Sequence, residues 1–140
     1  MTAGKIIAAA LATLALAGGA VAQRDDRLTV ELNKFEQGEG GCEAYFLFRN
    51  NTDMTLEGFE MSLAVLDPSG VIDSLLSIDA APLPAGRTTV KLFEIPGTDC
   101  GAISEILLHE LRSCRPAGGD EMDCFPILDL SSKTSAALVK

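Results

Sequence analysis

The sequence predicts an all-β chain, folded as an antiparallel β-sandwich of about seven strands and held by two disulfides. Three observations carry that expectation. Short runs rich in β-formers recur at intervals of about 10 to 15 residues, with turn residues between them. One of them, Phe59 to Val65, alternates cleanly: Phe59, Met61, Leu63 and Val65 share one face, and Gly58, Glu60 and Ser62 the other. The four cysteines, Cys42, Cys100, Cys114 and Cys124, form an even set downstream of an export-like N-terminus.

The 140 residues suit one domain. Residues 1–22 have the layout of a secretory signal peptide. Lys5 precedes the apolar run Ile6 to Ala17, and Ala20-Val21-Ala22 gives a small-x-small cleavage pattern before polar Gln23 to Asp26. The expected mature domain is 23–140, with 131–140 a loosely ordered tail. No later apolar run is long enough to span a bilayer, so the expected location is periplasmic or secreted. The net charge of −9, which becomes −10 when Lys5 leaves with the signal, argues against nucleic acid and anionic membranes as partners.

Leu28 to Lys34 alternates as a first strand, and the Gly-rich stretch Gln37 to Gly41 turns the chain. Ala44 to Arg49 follows, with Phe46 and Phe48 toward the core and Tyr45 and Leu47 away from it. Asn50 to Thr55 is turn chemistry. The N-x-T match at Asn50-Asn51-Thr52 belongs to that turn rather than to a glycan site. After the third strand, Asp67-Pro68-Ser69-Gly70 fits a type I turn. A fourth strand, Val71 to Ile78, is expected to put Ile72, Leu76 and Ile78 on one side. Arg87 to Ile95 is a fifth strand, introduced by Leu83 to Gly86 and closed by Pro96-Gly97.

The segment Ile103 to Arg112 is ambiguous, because Ile103, Ile106, Leu107 and Leu111 also fit helical spacing. Its place among strands and its flanking cysteines favour a strand, with a helix as the alternative. Phe125 to Leu130 is the last expected strand, confined by Pro126 to an edge or a strand start. Seven such strands suggest an immunoglobulin-like sandwich. If successive strands reverse direction, Cys42 and Cys100 fall at one end, and Cys114 and Cys124 at the other. Bridged cysteines need Cα atoms within about 7 Å, so the expected pairs are Cys42–Cys100 and Cys114–Cys124.

The residues offer little for catalysis. His109 is the single histidine, no serine lies in a G-x-S-x-G setting, and no free thiol is expected. No C-x-x-C pair supports zinc or redox chemistry. The loop Gly118 to Asp123 carries carboxylates without the spacing of an EF-hand, so calcium is not expected. Neither a P-loop nor a dinucleotide fingerprint is present. The expectation is therefore a non-enzymatic domain with no cofactor. Asp120, Glu121 and Asp123 would be a contact loop on the Cys114–Cys124 clip. A disulfide-stabilised inhibitor or small-ligand-binding protein is the alternative function.

The stretch Phe46 to Thr52, then Leu56 to Leu66, then Asp67 to Ile72 resembles small exported bacterial immunoglobulin-like domains, the FxLYD-like group among them. The shared pattern covers residues 42–95. It implies the sandwich fold. The envelope accessory or protein-binding role, with another envelope or secreted protein as partner, follows by elimination, through binding at a loop end or strand addition at a sheet edge.

Overall fold

The computed structural model describes residues 2–4, 18 and 25–140. The signal-peptide expectation for residues 1–22 lies almost wholly outside the described residues. The described chain is all-β apart from two single 3-10 turns. Its strands are β1 (Leu28–Gln37), β2 (Gly41–Asn50), β3 (Leu56–Leu66), β4 (Ile72–Asp79), β5 (Thr88–Pro96), β6 (Glu105–Pro116), β7 (Leu128–Ser132) and β8 (Ala137–Val139). They form two four-stranded sheets, ordered β5-β2-β1-β7 and β4-β3-β6-β8.

Two strand pairs depart from the expected antiparallel arrangement: β1 with β7 and β6 with β8 are parallel. The cause is alternation of direction along the chain. Odd-numbered strands run one way and even-numbered strands the other, so neighbours of like parity must be parallel. The same alternation puts Cys42 and Cys100 at one end and Cys114 and Cys124 at the other. The bridges are Cys42–Cys100, with Cα atoms 4.9 Å apart, and Cys114–Cys124, at 6.2 Å. Two disulfides suit an oxidising, extracytoplasmic compartment. Among the described residues no helix is long and apolar enough to cross a membrane.

The eighth strand lies in the segment 131–140, expected to be a loose tail. The Ser132 hydroxyl donates to the Ala136 carbonyl at 2.6 Å across a tight turn, and β8 then pairs with Glu105 to Leu107. Ala136 and Leu138 are buried there. A three-residue strand has too short a pattern to stand out in sequence, and it is set by tertiary pairing. Before it, Phe125–Ile127 is a 3-10 turn and β7 begins only at Leu128. Pro126 has no N–H to give a ladder.

β-bulges account for the remaining differences. In β6 the register with β3 skips His109 and Arg112. The inward positions are therefore Ile106, Leu108, Leu111 and Cys114, opposite Val65, Leu63, Met61 and Phe59. Two extra residues convert a period of two into steps of three, which imitates helical spacing. In β4 the register skips Asp73, so Ile72 pairs with Leu66 on the outer face while Ser74 pairs with inward Val65. Leu76 and Ile78 point inward as expected. Ile72 does not, and is 57% exposed.

The core lies between the sheets. Phe46 and Phe48 on β2 face inward, and Phe48 meets Phe59 of β3 edge-to-face with ring centroids 6.1 Å apart. Phe46 contacts Phe48 at 6.2 Å and Phe93 at 5.9 Å. Tyr45 and Leu47 face outward, half-buried. At the head of β2, Gly41 adopts φ 149°, and a Cβ there would collide with the Ile95 carbonyl oxygen. Glycine is what lets β5 approach so closely.

Phe59→Ala removes the ring that joins the two sheets and should destabilise the fold by about 4 kcal/mol. Urea unfolding followed by circular dichroism checks this; a loss under about 1 kcal/mol would mean that the sheets are held by other contacts.

Candidate functional site

The expected contact loop is largely tied down. Glu121 accepts from the Ser113 hydroxyl and from the Cys114 amide, both at 2.8 Å, and the Met122 amide donates to the Cys114 carbonyl at 2.9 Å. Asp123 accepts from the Phe125 amide at 3.1 Å at the start of the 3-10 turn. Of the three carboxylates proposed for contact, Asp120 alone makes no hydrogen bond among the described residues. The loop frames an open cavity of about 430 Å³, lined by His109, Glu110, Arg112, Glu121, Met122 and Phe125 among others. No group of three His, Cys, Asp or Glu suited to hold a metal occurs among the described residues.

The single histidine has a partner that its sequence position did not reveal. His109 sits at a bulge of β6, and its Nε2 lies 2.8 Å from the hydroxyl of Ser62 on β3. Ser62 is buried although it faces outward. No carboxylate hydrogen-bonds to the imidazole among the described residues. Ser62 is in mid-strand between β4 and β6, where its main-chain groups belong to the ladder. The pair joins two strands across the outer face of the sheet.

Asn50 is also spoken for. It is 1% exposed; its amide donates to the carbonyls of Met54 at 2.8 Å and Leu83 at 2.9 Å, and its carbonyl accepts from the Thr52 hydroxyl and amide. Every polar group of this buried side chain is used, which fixes the crossing from β2 to β3. The turn reading of Asn50-Asn51-Thr52 accounts for that geometry.

The least committed surface is elsewhere. β7 and β8 lie against each other and close one side of the sandwich. β4 and β5 are the terminal strands on the opposite side, each paired on one flank only among the described residues. Thr98 donates to Asp73 at 3.0 Å between the lead-out of β5 and the start of β4. Among the described residues the most exposed large apolar side chains lie on these two strands and the turn before β4, on the outer faces of the two sheets: Val71, Ile72 and Leu75 at 59%, 57% and 64%, and Val90 and Leu92 on β5 at 59% and 48%. The register places Leu92 beside Tyr45, and Val90 beside Leu47. β5 thus presents unpaired main chain next to a four-residue apolar patch. Its β-formers and flanking turns identified β5, but its edge position depends on strand order, which no local pattern encodes.

With this geometry in hand, comparison with known proteins adds no relative: no protein-family model, curated protein or solved structure matches the chain.

The Glu121 carboxyl is held below the ordinary carboxylate range, chiefly by the Ser113 hydroxyl and then by the Cys114 amide and the nearby Arg115 charge. A depressed folded-state value contributes stability above the unfolded-state value, and that contribution is lost as pH falls through the folded one. Acidification below roughly pH 4 should therefore release the loop from β6. Hydrogen exchange at Cys114 and Met122 is expected to accelerate there relative to the intrinsic rate. Unchanged protection through the carboxylate range would contradict this role for Glu121.

Proposed function

We propose that this chain is an exported, non-enzymatic immunoglobulin-like domain, periplasmic or secreted, that binds another envelope or secreted protein through its β5 edge. The observation that carries this reading is the exposure of Val90 and Leu92 on a strand with one flank unpaired among the described residues. Exposed, flat apolar edges are an association hazard that natural sheets usually blunt. Leaving one open has a cost, and pairing with a partner strand offsets it. In strand addition the main chain supplies affinity and alternate side chains supply specificity. The resemblance over residues 42–95 to small exported domains supports the same fold.

A second reading, the inhibitor or small-ligand-binding protein, is favoured by the cavity of about 430 Å³ between β6 and the Cys114–Cys124 loop. Its wall includes exposed Met122 and half-buried Phe125, which would give an apolar contact.

Site-specific photocrosslinking separates the two. A crosslinker at Val90 in the full-length exported protein should yield one defined adduct, and Leu92→Asp should remove it. A crosslinker at Asp120 should yield none. Adducts formed from Asp120 and absent from Val90 would instead support the loop reading.

A further inference from the structure

The outer face beside β5 carries charge as well as apolar surface, and its order is regular. Three registered rows cross β1, β2 and β5. Glu31, Leu47 and Val90 form one, and Lys34, Tyr45 and Leu92 the next. The third is Glu36, Glu43 and Glu94. Carboxylates directly opposite one another across strands repel, so the third row is unfavourable in the free protein. Lys34 relieves only its β1 end: its ammonium bonds Glu36 at 2.6 Å and lies 5.2 Å from the Tyr45 ring centre. Glu43 and Glu94 make no side-chain hydrogen bond or ion pair among the described residues. Their carboxylates lean over the β1–β2 turn, where a Cβ on Gly38 or Gly40 would meet them at 3.3 Å or 2.9 Å. On the opposite face of the same strand, half-buried Lys91 points between the sheets beside Phe46 with no carboxylate partner among the described residues.

We propose that the occupant of this edge is an extended segment of a partner protein that adds antiparallel to β5. It would bring a basic residue opposite Glu94, apolar residues opposite Leu92 and Val90, and an acid opposite Lys91. This rests on the β5-edge reading and names the chemistry of its partner. In antiparallel order the partner reads basic, any, apolar, acidic, apolar. The first, third and fifth side chains continue the outer rows, because alternate residues of an added strand share a face. Each unpaired charge on β5 then gains an opposite charge, and the apolar patch is extended and covered. The same charges disfavour wrong occupants. An apolar strand would leave Lys91 desolvated and unpaired, and a second copy of β5 paired about its own Lys91 would oppose like charges.

The test uses the oxidised domain, isotope-labelled for NMR, titrated with three synthetic peptides. The first is acetyl-Thr-Lys-Thr-Val-Asp-Val-Thr-amide. The second replaces its lysine by glutamine, and the third is a scramble of the first. The first peptide is expected to shift the amides of Thr88 to Pro96 and to bind about fivefold more tightly than the glutamine peptide. Raising the salt should shrink that ratio. Glu43→Gln with Glu94→Gln should erase the ratio while raising the urea midpoint of the free domain, since the repelling row is gone. Equal binding of the lysine and glutamine peptides at β5 would overturn the charge assignment and leave the edge reading standing. If no peptide shifts β5 while the Val90 crosslink persists, the proposed partner chemistry is wrong. Should both fail, the edge reading falls with it. Concentration-dependent shifts of β5 without any peptide would make a second copy the occupant and overturn the proposal.

Discussion

The contact of Phe48 on β2 with Phe59 on β3 governs the rest of the structure, because each ring belongs to an inner strand of a different sheet. Phe46 and Phe93 extend the cluster toward β5, and Met61, Leu63 and Val65 continue the facing wall along β3. Apolar burial of this kind is the main favourable term in a domain with few aromatics. Once β2 and β3 are locked face to face, their neighbours can only be added outward. The Asn50 network fixes the crossing that carries the chain from one wall to the other, and the disulfides tie the two ends. Cys42–Cys100 closes a separation of 58 residues, worth about 4 kcal/mol by loop-closure entropy.

Outward growth ends differently on the two sides. On one side β7 and β8 run in succession across both sheets, and Ser132, Thr134 and Ala136 knit the turn between them. On the other, β4 and β5 stop with apolar side chains in solvent. Two buried hydroxyls without partners among the described residues, Ser74 on β4 and Thr89 on β5, also lie on these strands. A domain selected only for stability would cover such a flank or charge it uniformly. Here the charge is mixed and ordered: an acid row on the outer face, a lysine on the inner, and an apolar patch between rows. That combination conflicts with the best packing of the isolated chain, as functional surfaces often do.

Much of this architecture was legible in the residues. Alternation at Phe59 to Val65 and at Phe46 and Phe48 identified the two walls, and strand parity selected the disulfide ends. The limits were equally physical. Bulges at His109, Arg112 and Asp73 change the phase of a strand without any marker in composition, which left the spacing of β6 ambiguous between strand and helix and turned Ile72 outward. β8 is too short to carry a period. Asp120, Glu121 and Asp123 looked like a free acidic loop because carboxylates are usually solvated. Glu121 is instead bound to the Ser113 hydroxyl and the Cys114 amide, a pairing that no local pattern encodes. The open edge was invisible for a deeper reason: which strand is terminal depends on the order of all eight.

Hydrogen exchange of the domain, alone and with the protein captured at Val90, tests the central claim most directly. In the free domain the β5 amides that face away from β2 should exchange fast, while those of β2 and β3 stay protected. In the complex those alternate β5 amides should become protected, with β7 and β8 unchanged. Protection confined to the Cys114–Cys124 loop, or spread along β7 and β8, would contradict the account.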